Sequence, residues 1–357
     1  MRPGKGSPVS PRPDRHAGRL KLFLCTEFET PWASGEWRRI AATWGLDAPC
    51  EVVGDPEAAD AVLITLCDLR DPYPAVVEKV KRLALRRAAR DRVFVFDTSD
   101  MPAGLFPGLY ASLRRRLFSR ARHRTSSFLQ SFNEYIDLQP YDPRPPLLCS
   151  FQGNLTSPVR GRLFNLPHRR DDVVIERTEP FWSRIGEETT APFKRRYAET
   201  IGNSRFVLCP RGNGTSSYRL FETMQSGRVP VIIADPWVPS DMVPWHACSL
   251  RVPERAIDRV VEICEGADPQ WRDMAQEARR AWESWFSPVG LARLIAESIE
   301  GIWQSRPYPE RVYACGWPWR TNLLRLRGAL VRGKVRGLQL AARFEGRGRP
   351  RRSGALD

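Results

Sequence analysis

No C-x-x-C pair occurs in this sequence, so the common zinc ribbons and thioredoxin-type redox centres are excluded at the outset. The eight cysteines stand singly, several inside apolar runs such as LFLC and FVLC. They read as small buried hydrophobes of a reducing compartment rather than as a disulfide framework. Histidine is scarce, and His16, His123, His168 and His246 are too scattered to suggest a metal-ligand set. Neither a Walker A motif nor G-x-G-x-x-G is present. Long apolar runs are missing too. After the polar, proline-rich start MRPGKGSPVSPRPDRHAGR, the stretch from Leu22 to Cys25 is only four residues long, too short for a signal-peptide core or a membrane span. A cytoplasmic location is the expectation, with the N-x-T sequons at Asn154 and Asn213 read as chance occurrences. No repeat of solenoid or propeller period is visible.

What is present is a chain able to bury substantial cores: 357 residues, 42% hydrophobic, with 12 tryptophans. That length favours two domains, because single cores stop growing at roughly 250–300 residues. The net charge of +15 looks like a nucleic-acid signature until it is located. Between Arg320 and Arg352 there are eleven Lys or Arg and one acid, Glu345, so two-thirds of the excess lies in one C-terminal segment. The remaining body is mildly basic, which a phosphate-bearing substrate explains without nucleic acid.

Short apolar runs alternate with helical periods, the pattern of βα units around a parallel sheet. LKLFLC, DAVLITLC and RVFVFD form a first series. The proline-heavy LQPYDPRPP interrupts it, and LLCSFQG, DVVIE, RFVLC and VPVIIAD form a second. The expected fold class is α/β, with two doubly wound modules. The expected boundaries are a disordered leader (1–18), a first domain (19–140), a linker (141–146), a second domain (147–305) and a basic extension (306–357). The extension mixes leucines and arginines at near-helical intervals, which suits peripheral contact with anionic lipid, yet its glycines suit a disordered tail equally.

The segment CPRGNGTSSYRLFE (209–222) follows a strand and opens a helix. Pro210 ends the ladder, Gly212 and Gly214 permit unusual backbone conformations, and Thr215, Ser216 and Ser217 fall at the expected N-cap. A helix N-terminus offers unpaired N–H groups and about half a positive charge, the makings of an anion site. Arg219 and Glu222, three residues apart, share a face. A nucleotide diphosphate would suit this arrangement, with its phosphates on Arg211 and Arg219 and its ribose on Glu222. An ordinary Arg219–Glu222 surface pair beside capping serines would also account for it. The residues alone leave both readings open.

The block SRFVLCPRGNGTSSYRLFETMQSGRVPVIIADPWVPSDMVPW (204–245), together with CSFQGNLTSPVRGRL (149–163), closely resembles the exostosin-like glycosyltransferases, glycosyltransferase family 47. The resemblance implies a GT-B fold of two facing Rossmann-like domains, a nucleotide-sugar donor (UDP at family level) held by the second domain, and inversion at the anomeric carbon. Many glycosyltransferases of the other common fold use a D-x-D metal site, and no D-x-D occurs here. The leaving diphosphate should then be met by Arg211, Arg219 and the helix N-terminus, with neither cofactor nor obligatory metal. Arg160, after the Gly153-Asn154 turn, is a further phosphate candidate, with a solvated arginine as its plain alternative. Asp235, at a strand's carboxyl end, would bond donor hydroxyls or cap the next turn. Inverting transfer also needs a base. The first-domain strand ends supply Glu27, Asp68, Asp97 and Asp100, with Asp100 favoured and Glu27 next. The acceptor would be a glycan or a lipid-linked sugar. A nucleic-acid-binding protein and a non-catalytic sugar-nucleotide module are the rival readings.

Overall fold

The structure, a computed structural model, describes residues 18–84, 91–129, 133–136, 144–167, 170–178 and 187–316. The leader up to residue 17, residues 141–143 of the expected linker and the basic segment from 317 onward lie outside the described residues.

The first apolar series builds one parallel sheet. Its elements are β1 (Leu20–Cys25), α1 (Pro31–Ala42), β2 (Cys50–Val52), β3 (Ala61–Leu66), α2 (Tyr73–Ala84), β4 (Val93–Asp97), β5 (Gly108–Tyr110) and β6 (His123–Thr125), with strand order β2-β1-β3-β4-β5-β6. Helix α1 begins where Thr30 caps the Ala33 amide and Pro31 occupies the first turn; it turns Ala33, Trp37 and Ile40 onto the sheet. Strands β5 and β6 were not foreseen from the sequence. Each is three residues long, and β6 carries a buried histidine where an apolar residue would have given it away.

The second series repeats the plan. It comprises β7 (Leu147–Gly153), α3 (Pro158–Phe164), β8 (Val173–Arg177), α4 (Glu187–Gly202), β9 (Ser204–Pro210), α5 (Tyr218–Gln225), β10 (Val229–Ile233), α6 (Trp245–Cys248), β11 (Leu250–Arg251), α7 (Val260–Ala267) and α8 (Trp271–Trp285). Its strand order is β11-β10-β9-β7-β8. Both sheets are parallel throughout and reverse direction beside their first strand, at β1/β3 and at β7/β9. Crevices at the carboxyl ends of such switch points are where open α/β sheets bind ligands.

The carboxyl edges of the two sheets face each other. Thr125 Oγ donates to the Val238 carbonyl at 2.7 Å, and the Arg115 amide donates to Pro236 at 2.9 Å. This is the two-domain, GT-B-like arrangement expected from the sequence. No helix among the described residues is long and apolar enough to cross a membrane.

Two helices fall on the other side of the expected boundary. Helix α9 (Pro288–Ser305), assigned from sequence to the second domain, packs back on the first sheet. Trp44 Nε1 donates to Pro288 O at 2.9 Å, Cys50 Sγ to Ala292 O at 3.5 Å, and Trp303 meets Phe94 edge-on at 5.4 Å. Its apolar arc is broad enough to touch both α8 and the first sheet, so one apolar cluster runs unbroken between the domains. Helix α10 (Glu310–Ala314), counted from sequence with the basic extension, is likewise anchored to the first domain. Glu310, 2% exposed, is bonded to Arg122 and stands 3.7 Å from Arg306, whose other amine reaches Asp91 at 3.2 Å.

Breaking a buried ion cluster by removing one member leaves uncompensated charge. Glu310→Ala should therefore cost about 3–5 kcal/mol, read from the urea midpoint at constant m. A loss below about 1 kcal/mol would show that the anchor contributes no more than a surface pair.

Candidate functional site

The β7/β9 switch point opens into a cavity of about 190 Å³, lined by Gln152, Gly153 and Asn154 after β7, by Arg160 on α3, by Tyr197 on α4, and by Ser217, Tyr218, Arg219 and Glu222 at the start of α5, among others. Two helices thus point their N-terminal turns at one space. Ser157 caps α3 by accepting from the Arg160 amide, and donates its own proton to the Arg211 carbonyl at 2.8 Å, tying α3 to the 211–217 loop. Ser217 occupies the cap position of α5 but makes no capping bond.

Arg160 and Arg219 dominate the electrostatics. They are 8% and 7% exposed, and among the described residues neither makes a salt bridge. Arg219 donates to the Gln152 carbonyl, Arg160 to the Asn154 carbonyl at 3.1 Å. Both guanidiniums approach the ring of Phe151, whose centroid lies 4.5 Å from the Arg219 guanidinium and 5.6 Å from that of Arg160. Burial, with the charge of Arg219 adding to it, lowers the Arg160 pKa to about 9. Arg160 Nε and Arg219 Nη1 have no partner among the described residues, and neither do the buried hydroxyls of Thr156, Thr215 and Ser216. Buried polar atoms are almost always satisfied, so orphaned donors on two buried guanidiniums with no salt-bridge partner mark a place for an anion rich in oxygen.

Several site residues read from the sequence take different partners. Arg211 is engaged side-on by Glu254, with Nε to Oε1 at 2.7 Å and Nη2 to Oε2 at 3.2 Å. Asp235 is held at the same carboxylate: its amide donates to Glu254 Oε1 at 3.2 Å, and its Oδ1 accepts the Glu254 amide at 3.1 Å. Glu222 forms no ion pair with Arg219; its Oε2 accepts from Tyr197 OH at 2.7 Å, and burial raises its pKa above the usual carboxylate range. Neither Gly212 nor Gly214 has a positive φ. Their role is close approach: a methyl group on Gly212 would meet Arg160 Nη2 at 3.3 Å, and one on Gly153 would meet Arg219 Nη2 at 2.9 Å.

Across the cleft the four first-domain acids separate clearly. Asp97 is 1% exposed and has both oxygens occupied, by Tyr73 OH at 2.8 Å and by the Ser99 amide at 2.9 Å, an internal tie rather than a reactive group. Asp68 accepts from Thr30 Oγ at 2.7 Å at the β1/β3 switch point. Glu27 is exposed, and its carbonyl takes the Arg70 side chain. Asp100 alone reaches the 211–217 loop. Its Oδ1 lies 3.1 Å from where a Gly214 methyl group would be, and its side chain bonds Asn213. Part of Asp100 is open to solvent, yet the protein around it desolvates the carboxyl and raises its pKa, while Asn213 and Arg160 oppose the rise.

Gln152, Tyr197 and Tyr218 line the cavity, and Glu254 holds Arg211 and Asp235, yet none of the four is singled out by the sequence. Tyr218, stacked on Phe128 of the first domain at 4.0 Å, follows directly after the capping serines and could have been noticed there. Tyr197 and Glu254 carry no local signal, since each meets its partner from 25 or more residues away. Among the described residues no three His, Cys, Asp or Glu side chains gather as a metal site.

Residues 122–266 match the family model of the Exostosin GT47 domain. Among curated proteins the chain is 27% identical over 158 residues to the Exostosin-1 homolog of Caenorhabditis elegans, covering 40% of this chain and 41% of that protein. It is 28% identical over 181 residues to Exostosin-1 of Drosophila melanogaster (46% and 23%) and 28% over 205 residues to Exostosin-1 of Bos taurus (52% and 26%). The match thus spans less than half the length of these relatives. A crystal structure of a glycosyltransferase from Rickettsia africae superposes with a TM-score of 0.42 at 11% identity, covering 80% of this chain and 99% of that one.

The close approach at Gly214 gives a direct test of the interdomain contact. A methyl group there would lie 2.6 Å from Ser112 Oγ and 3.0 Å from the Asp100 carbonyl, so Gly214→Ala should destabilise by about 1–3 kcal/mol in thermal or urea unfolding. Gly35→Ala, where nothing lies within 4 Å and the residue is helical, should be neutral or stabilising by up to about 1 kcal/mol.

Proposed function

We propose that this chain, an exostosin-like glycosyltransferase that carries the GT47 domain over residues 122–266, transfers a sugar from a nucleoside diphosphate donor to a glycan or lipid-linked acceptor with inversion. The observation that carries this reading is the pair of buried guanidiniums, Arg160 and Arg219, with no carboxylate within salt-bridge distance of either among the described residues. A diphosphate supplies the missing charge and enough oxygens for the orphaned donors around them. As the anomeric C–O bond breaks, negative charge builds on the leaving diphosphate, and donors already fixed in place stabilise it without reorganisation. No metal is required for that step.

Glu222, held by Tyr197, is the acceptor for ribose hydroxyls, and Gly153, Asn154, Gly212, Ser216 and Ser217 let the phosphates approach the backbone. The acceptor enters from the first-domain edge. Asp100 takes the proton of its attacking hydroxyl while the new glycosidic bond forms and the bond to the diphosphate breaks. Its contact with the donor loop supports Asp100 over Glu27.

Two measurements follow. UDP should raise the melting temperature more than GDP or dTDP, and Arg160→Ala or Arg219→Ala should each weaken UDP binding by about 30- to 150-fold, the loss of 2–3 kcal/mol expected for a charge-assisted contact. If no nucleoside diphosphate stabilises the protein, the donor site is misassigned. For the base, the rate of transfer from saturating donor should rise with pH through a limb above the usual carboxylate range, because Asp100 acts deprotonated and its pKa is raised. Asp100→Asn should abolish that limb and lower kcat by about 10²–10⁴-fold with donor affinity retained. Glu27→Gln should do neither.

A further inference from the structure

Arg211, the arginine of the CPRG turn, does not stand free over the cavity. Glu254, at the first residue of a short 3-10 turn, takes two of its nitrogens side-on, leaving Nη1 without a hydrogen-bond partner among the described residues. The same carboxylate receives the Asp235 amide, and the Glu254 amide returns a bond to Asp235 Oδ1. Arg211 follows β9 and Asp235 follows β10, adjacent strands of the second sheet. One side chain thus joins the two loops at the carboxyl edge of that sheet, holding the guanidinium of the first and the backbone amide of Asp235 in the second. The backbone holds Arg211 as well, through its amide on Ile233 and its carbonyl on Ser157, so the side chain is the one part whose direction depends on Glu254.

We infer that Glu254 is a positioning residue for the transfer reaction: it sets the direction in which Arg211 presents its remaining amine to the donor, and couples that direction to Asp235. The inference rests on the donor-site reading above. Two physical effects of Glu254 oppose one another. Its negative charge beside a cationic site repels a diphosphate, so charge alone would make its removal tighten binding. Its bidentate hold reduces the freedom of a long side chain, so positioning makes its removal weaken binding. The bidentate geometry favours the second effect: with the Arg211 backbone already fixed on Ile233 and Ser157, losing Glu254 frees the side chain alone.

The test uses the full chain with UDP as probe, titrated calorimetrically into wild type, Glu254→Ala, Glu254→Gln, Arg211→Ala and the Glu254→Ala/Arg211→Ala double variant. Thermal unfolding of each variant verifies that it folds. Glu254→Ala should weaken UDP binding about tenfold, and Glu254→Gln, which keeps one acceptor oxygen, should weaken it less. The double variant should bind no worse than Arg211→Ala alone, because Glu254 acts through Arg211. A purely structural role would instead give additive losses. Unchanged or tighter binding in Glu254→Ala, or additivity in the double variant, overturns the assignment of Glu254. Failure of wild type to bind UDP, GDP or dTDP overturns the donor site itself, an outcome distinguishable from the first. If Glu254→Ala fails to fold, the comparison of Glu254→Gln with Arg211→Ala carries the same decision.

Discussion

Two cations held close together in a protein interior need an explanation, because each costs several kcal/mol to desolvate and each disfavours the other. Arg160 and Arg219 are such a pair, and the second domain is organised around holding them. Phe151 presents its ring to both; carbonyls at Gln152 and Asn154 take some of their protons; glycines at 153 and 212 leave the room that the guanidiniums occupy. None of these neighbours cancels the charge. Burial first, and the charge of Arg219 after it, lower the pKa of Arg160. An anion bound at this strand-end crevice would stabilise the folded state by mass action.

The rest of the architecture positions this pair relative to the other domain. Helix α9 ties the first sheet to α8, and the Arg122–Glu310–Arg306–Asp91 cluster anchors the chain's return. Between these ties the two carboxyl edges meet at Gly214, Asp100 and Ser112. The 211–217 loop of the second domain is therefore in contact with Asp100 of the first, so the proposed donor site and the proposed base share one interface. That arrangement suits a displacement in which bond formation on one face accompanies charge development on the other.

The two-module plan was legible in the sequence because strand-length apolar runs punctuated by Asp, Gly and Pro require little context to read. The CPRG-to-PVII block also placed the loop and the helix, and put Arg219 on the face that lines the cavity, since helical spacing places residues on faces. What the sequence withheld depends on partners far along the chain. The diversion of Arg211 to Glu254 crosses 43 residues, and the Tyr197–Glu222 bond crosses 25. The allegiance of α9 was hidden for a different reason: periodicity shows that a helix has an apolar face but not which sheet covers it. Strand β5 was hidden by its length of three residues, and β6 by the polar His123 and Arg124, which follow the buried Arg122 bonded to Glu310 of α10. Gly212 and Gly214 stand out in the sequence for backbone freedom, whereas neither has a positive φ and the space they leave empty is what the structure uses.

The claim on which the account turns is that Arg160 and Arg219 receive the donor's diphosphate. The most direct measurement is a crystal structure of the protein with UDP bound. Phosphate oxygens within hydrogen-bond reach, roughly 2.7–3.0 Å, of both guanidiniums, together with contacts to Thr215 or Ser216, would support the account. A nucleotide whose phosphates lie on Arg211 alone, or outside the β7/β9 crevice with Arg160 and Arg219 still unpartnered, would contradict it.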